Sequence, residues 1–246
     1  INLIYGNDFI LNGNAYLESY EQYGNSDIAV IINKLKASPT AITSLARLGD
    51  STFIAPDILR DMGDIFLKGR LAGQLDNFNL DAEAWCRQGL ISLLAKGNVD
   101  TTFSNFDVNA ALNTRNFNLG RLLEMDTVFN KLSASINLKA HQSATSSLSA
   151  DIKGNIEALE FRKGTMKNLP LTAFYNAKEM GLSAKVNWRI GKMDIDAVMS
   201  QEKVPDIAVN LKVDTLHVDY FYKNETWQNP RLSFELDGNI KGLDID

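Results

Sequence analysis

Apolar and polar residues alternate along most of this chain, and the period changes in only two places. From Asp64 onward Ile65, Leu67, Gly69, Leu71, Gly73 and Leu75 fall on one side of an extended chain. After the turn pair Asp76-Asn77, the alternation resumes with Leu80, Ala82, Ala84 and Cys86. It continues through Ile91, Leu93, Ala95, Gly97 and Val99, then through Phe106, Val108, Ala110 and Leu112. Further along, Leu132, Ala134, Ile136 and Leu138 point one way, while Lys131, Ser133, Ser135, Asn137 and Lys139 point the other. Later runs keep the same two-sided character: 148–156, 182–190, 193–199, 207–213 and 232–240. Residues 1–33 add three apolar runs, 1–5, 8–20 and 27–33, parted by Gly6-Asn7 and Gly24-Asn25, and Ile28, Val30 and Ile32 share a face.

The two interruptions have helical spacing. Ser38-Pro39 supplies an N-cap and a first-turn proline before Ile42, Leu45 and Leu48, with Gly49 as the stop. Asn118 is placed to cap a second element, about two turns over Leu119, Leu122, Leu123 and Met125, which would plug the end of the sheet. The expected fold is therefore all-β: a long antiparallel meander with one apolar face and one or two short helices, forming a single unit over 1–246 with a soft division near 52–64.

A one-sided sheet must bury its apolar face by closing on itself, by stacking as a sandwich, or by curling into an open trough. The apolar rows are rich in Ile, Leu, Val, Ala and Gly, and Gly69, Gly73, Gly97 and Gly154 permit strong bending. Those features suit a continuous apolar wall and leave the three arrangements open. The candidate lining is Leu132, Ala134, Ile136, Leu138, Leu182, Val186, Trp188, Ile190, Ile195, Val209 and Leu211.

Composition narrows the chemistry. A net charge of −5 argues against nucleic acid, which needs concentrated basic surface. One cysteine, Cys86, forms no internal disulfide and reads as a small buried residue. The two histidines, His141 and His217, lie far apart, so no metal or cofactor site is expected. Asp57, Arg60, Asp61 and Asp64 cluster without a nucleophile or base beside them and read as a solvated turn, and no catalytic residue is assigned. Trp85, Trp188 and Trp227 are dispersed and read as core or lumen lining. Residue 1 falls inside a strand-like run and the final run has no stop, so the chain is expected to be a piece of a longer protein.

Three blocks carry a family resemblance. Phe66 to Phe78 (FLKGRLAGQLDNF), Gly89 to Asp100 (GLISLLAKGNVD) and Asn113 to Leu123 (NTRNFNLGRLL) resemble the TamB family of translocation and assembly modules, Bacteroidetes type, within the AsmA-like superfamily. Leu148 to Leu169 is similar to that family's next segment, departing from its usual tyrosine-rich spelling at Thr165-Met166. The likeness spans roughly 26–215 and lies in order and spacing. It implies a β-taco that is periplasmic and held in the inner membrane by a segment outside this chain, reaching toward the outer membrane of a Gram-negative envelope. It also implies phospholipid transport, or outer-membrane protein assembly and secretion with a BamA- or TamA-like barrel. The physical pattern leaves three functions open: a lipid path, a β-sandwich binding module, and a scaffold whose strand edges pair with client strands.

Overall fold

The computed structural model describes residues 1–18, 27–54, 56–74, 76–100, 102, 104–162, 164–189, 191–202, 204–218, 226 and 230–241. Fourteen strands follow one another in a single antiparallel sheet whose spatial order is the order of the chain. They are β1 (Asn2–Tyr5), β2 (Phe9–Leu17), β3 (Ile28–Ala37), β4 (Ile65–Gln74), β5 (Asn77–Cys86), β6 (Gly89–Val99) and β7 (Phe106–Asn118), then β8 (Phe129–Ser143), β9 (Ser146–Phe161), β10 (Gly164–Tyr175), β11 (Glu179–Trp188), β12 (Gly191–Ser200), β13 (Asp206–His217) and β14 (Arg231–Lys241). Every strand pairs with its sequence neighbours. The sheet stays open and curls weakly, so it is neither a closed barrel nor a sandwich.

The openness has a measurable consequence. The accessible surface is 16423 Å², whereas a compact monomer of 27.3 kDa would expose about 10,900 Å². Among the described residues only seven apolar side chains are buried: Ala37, Ala41, Phe117, Ala134, Leu159, Leu169 and Val213. They sit toward one border of the sheet, where most of the register shifts fall, in the pairs β2–β3, β3–β4, β7–β8, β8–β9, β12–β13 and β13–β14. Bulges bend a strand and sharpen its twist, so the sheet gains its burial where its strands bend.

Three helices occupy that same border. In α1 (Pro39–Gly49) the Ser38 side chain accepts a hydrogen bond from the Ala41 N–H, and the proline stands in the first turn, as the spacing predicts. α2 (Asp57–Met62) replaces the solvated turn expected there. Gly63 at φ 65° ends it, and the Asp57–Arg60 ion pair braces its single exposed face. Three short helices are thus present among the described residues rather than one or two. β3 pairs with β4 across this insertion, so the sheet runs on past residues 52–64.

The helix at Asn118 is also corrected. Its cap is as expected, with the Asn118 side chain accepting from the Arg121 N–H, but α3 covers only Leu119–Leu122. Glu124 enters a positive φ and stops it after one turn. Gly120 lies so close to the Phe129 carbonyl that any Cβ would collide with it. The turn therefore docks through backbone, and Leu122, Leu123 and Met125 face solvent instead of plugging the sheet.

Candidate functional site

The apolar alternation becomes a surface once the register is followed across the sheet. In antiparallel pairs, directly opposed residues project to the same side. One row reads Gly13, Ile32, Gly69, Ala82, Leu93, Leu112, Ile136, Gly154, Leu171, Ala184, Ile195, Leu211 and Leu236, from β2 to β14. A parallel row holds Leu11, Leu35, Leu67, Ala84, Ile91, Thr114, Ala134, Ile156, Leu169, Val186, Met193, Val213 and Phe234. No Asp, Glu, Lys or Arg occupies a paired position on this face among the described residues. Fourteen strands at about 4.8 Å spacing make the strip roughly 60 Å long.

Ten of the eleven expected lining residues lie on this one face: Leu132, Ala134, Ile136 and Leu138 in β8, Leu182, Val186 and Trp188 in β11, Ile195 in β12, and Val209 and Leu211 in β13. Ile190 lies outside the described residues, as do Leu75 and Trp227. Trp85 departs from expectation. It projects to the opposite face, stacked on Phe66 with ring centroids 5.5 Å apart and Lys68 Nζ 6.0 Å above it. An aromatic pair roofed by a cation is stable in water-facing surroundings. Cys86 is half-buried on the apolar face, its Sγ accepting from the Gln88 N–H.

Two regions of the apolar face differ in depth. Near the turns joining β10 to β11 and β12 to β13, Ala173, Met180, Leu182, Ala197, Met199 and Ile207 line a hollow of about 330 Å³. Toward the helices, Phe161 links Phe129 (5.6 Å) to Trp188 (6.2 Å, edge-on). Flexible thioethers in the hollow adapt to variable apolar shapes.

The reverse face is ionic and largely self-compensated. Lys185, Asp194, Lys212 and Glu235 oppose one another in order across β11 to β14, and Lys68 pairs with Glu83 at 3.1 Å. A groove of about 690 Å³ crosses β4 to β8 here, its wall carrying Asn79, Lys96, Asn109 and Lys139. It is the valley between two rows of outward side chains, deepened by Ala72 and Ala111.

Charged groups with displaced pKa values stand in the short helices and turns, away from the apolar face. The Arg121 guanidinium donates to Asp61 at 2.8 Å and also meets Asp126 at 3.1 Å, which holds the Asp61 carboxyl below its usual range. Asn105, Ser104 and Thr102 do the same for Asp100. Asp61 and Arg121 tie α2 to α3, and Asp64 pairs with Lys36, so the expected charged cluster is divided among three partners. Among the described residues no three His, Cys, Asp or Glu side chains come together as a metal site.

Strand β10 has no clear alternating signature in the sequence. Leu169, Leu171, Ala173 and Tyr175 alternate on the apolar face, but Asn168 at positive φ and Pro170 between them disguise a strand. No family model, curated protein or solved structure matches the chain.

Proposed function

We propose that this chain is a segment of a lipid bridge, in which phospholipid acyl chains lie against the apolar face and move along it between two membranes. The observation that carries the proposal is the charge-free strip itself, continuous over fourteen strands and, among the described residues, uncovered by any second layer. Soluble monomers rarely expose contiguous apolar patches beyond a few hundred Å² unless the patch binds something. Burial of tail surface at about 25 cal/mol per Å² drives binding, and the absence of polar anchors on the strip lets tails slide. No residue performs chemistry in this scheme. The TamB-like blocks support the same reading, with a periplasmic setting, an inner-membrane anchor outside this chain, and a BamA- or TamA-like barrel as a partner met by parts of the protein outside this chain.

An assembly scaffold is the second reading, and one observation favours it: among the described residues β1 and β14 each leave an edge without a partner strand, and such edges accept extended peptides. Native mass spectrometry of the purified chain separates the two. Co-purified phospholipid, lost when Leu211 becomes Asp, supports the lipid path. A chain that carries no phospholipid and captures extended peptides would replace it with the scaffold.

A further inference from the structure

The groove on the reverse face is built from two neighbouring cross-strand rows. Ala72, Asn79, Lys96, Asn109 and Lys139 oppose one another in order across β4 to β8, and so do Arg70, Asp81, Leu94, Ala111 and Asn137. The rows stand two residues apart, about 7 Å, and the groove crosses five strands, about 19 Å. Three cations therefore meet one acid there, in a chain whose net charge is −5. Arg70, Lys96 and Lys139 are exposed and make no ion pair among the described residues, whereas Lys68 on the same face is held by Glu83. The side-chain amides of Asn79 and Asn137 are also exposed and make no hydrogen bond among the described residues. Leu94, opposite Ala111 in the floor of the groove, is a large apolar side chain left 50% exposed among polar neighbours.

We infer that this groove binds an acidic polysaccharide, a carboxylate-bearing glycan strand laid across β4 to β8. Each free amide donates and accepts at once, which matches hydroxyl and acetamido groups. The unpaired ammonium and guanidinium groups complement carboxylates. Leu94 and Ala111 supply an apolar patch for the C–H face of a sugar ring. An acidic peptide fits less well, because extended peptides are held mainly through main-chain bonds at a sheet edge. Here all five strands are interior, and both neighbours of each already occupy its backbone groups. The inference is independent of the acyl path, which lies on the other side of the sheet.

The test is affinity electrophoresis of the purified chain at low salt, through gels containing polygalacturonate or the neutral polysaccharide dextran. Three variants are compared with the unaltered chain. One joins Lys96→Gln to Lys139→Gln, and a second joins Asn79→Ala to Asn137→Ala. The third, Lys212→Gln, removes a cation from β13 on the same face but outside the groove. Polygalacturonate should retard the chain and dextran should not. Affinity is expected to fall about tenfold in the lysine pair, to fall in the asparagine pair, and to stay unchanged in Lys212→Gln. All five altered positions are exposed, so the circular-dichroism melts should coincide. Polyglutamate should not compete. The inference is overturned by absent retardation in polygalacturonate, by equal retardation in dextran, by an equal loss in Lys212→Gln, or by an asparagine pair that binds as before. Full competition by polyglutamate would overturn it too, and would mark the groove as a site for acidic peptide.

Discussion

A carboxylate placed on the apolar face tests whether that face is a wet groove or a dry core. Leu182 and Val213 both project to it, one at 48% exposure and the other at 3%. Replacing a fully buried leucine forfeits about 2 kcal/mol of transfer free energy, so half-exposed Leu182 forfeits about 1 kcal/mol. Aspartate's poor fit to a strand adds up to about 1 kcal/mol. In a protein of this size each kcal/mol moves Tm by about 2–4 °C, so Leu182→Asp should melt about 2–8 °C lower with the fold intact. Val213→Asp loses its whole burial and strands an unpaired charge, at a cost above about 4 kcal/mol, which should unfold the β12–β14 region. Val186→Asp and Leu211→Asp, on half-buried positions of the same rows, should fall between. The assay pairs a circular-dichroism melt with lipid crosslinking, and Leu182→Asp is expected to fold while losing lipid contact. If Leu182→Asp proves as damaging as Val213→Asp, the face is covered in solution and the open path is wrong.

Further consequences concern association, packing and pH. A strip some 60 Å long facing water should drive self-association, so light scattering should show oligomers that resolve to monomer in mild detergent; a monomer without detergent would mean the face is closed. Gly120→Ala should dislodge α3 from β8, because its Cβ meets the Phe129 carbonyl, and hydrogen exchange should then accelerate at Phe129 and Leu132 while β11 and β12 stay unchanged. Asp61 has a lowered pKa, first through its hydrogen bond from Arg121. The α2–α3 brace is therefore fully present above the ordinary carboxyl value of about 3.9 and is lost as pH falls through the lower folded value. Exchange at Gln88 and Arg121 should rise in that acid window and should no longer do so in Asp61→Asn.

Thirteen of the fourteen strands were legible because alternation with period two survives in them, and side-chain direction follows from it alone. That is why the face of Leu132 to Leu138 could be joined to that of Leu182 to Trp188 across forty residues. The misreadings have local causes. Trp85 looks like core by composition, but its position in β5, one residue from Cys86, assigns it to the outer face. In β10, Pro170 hides an alternating row. Asp57 to Met62 is too short for a helical period to register, and Glu124 ends α3 by adopting a backbone conformation that side-chain type does not announce. The bulges escape notice for the same reason, although they concentrate the buried residues along one border.

Site-specific photocrosslinking bears most directly on the lipid path. A photoreactive residue at Leu211 or Ile136 faces the strip, whereas one at Asn210 or Asn137, a single position away, faces the ionic side. In cells making the full-length protein, phospholipid adducts are expected at Leu211 and Ile136 and not at Asn210 and Asn137. Equal labelling on both faces, or none on the apolar one, would contradict the account.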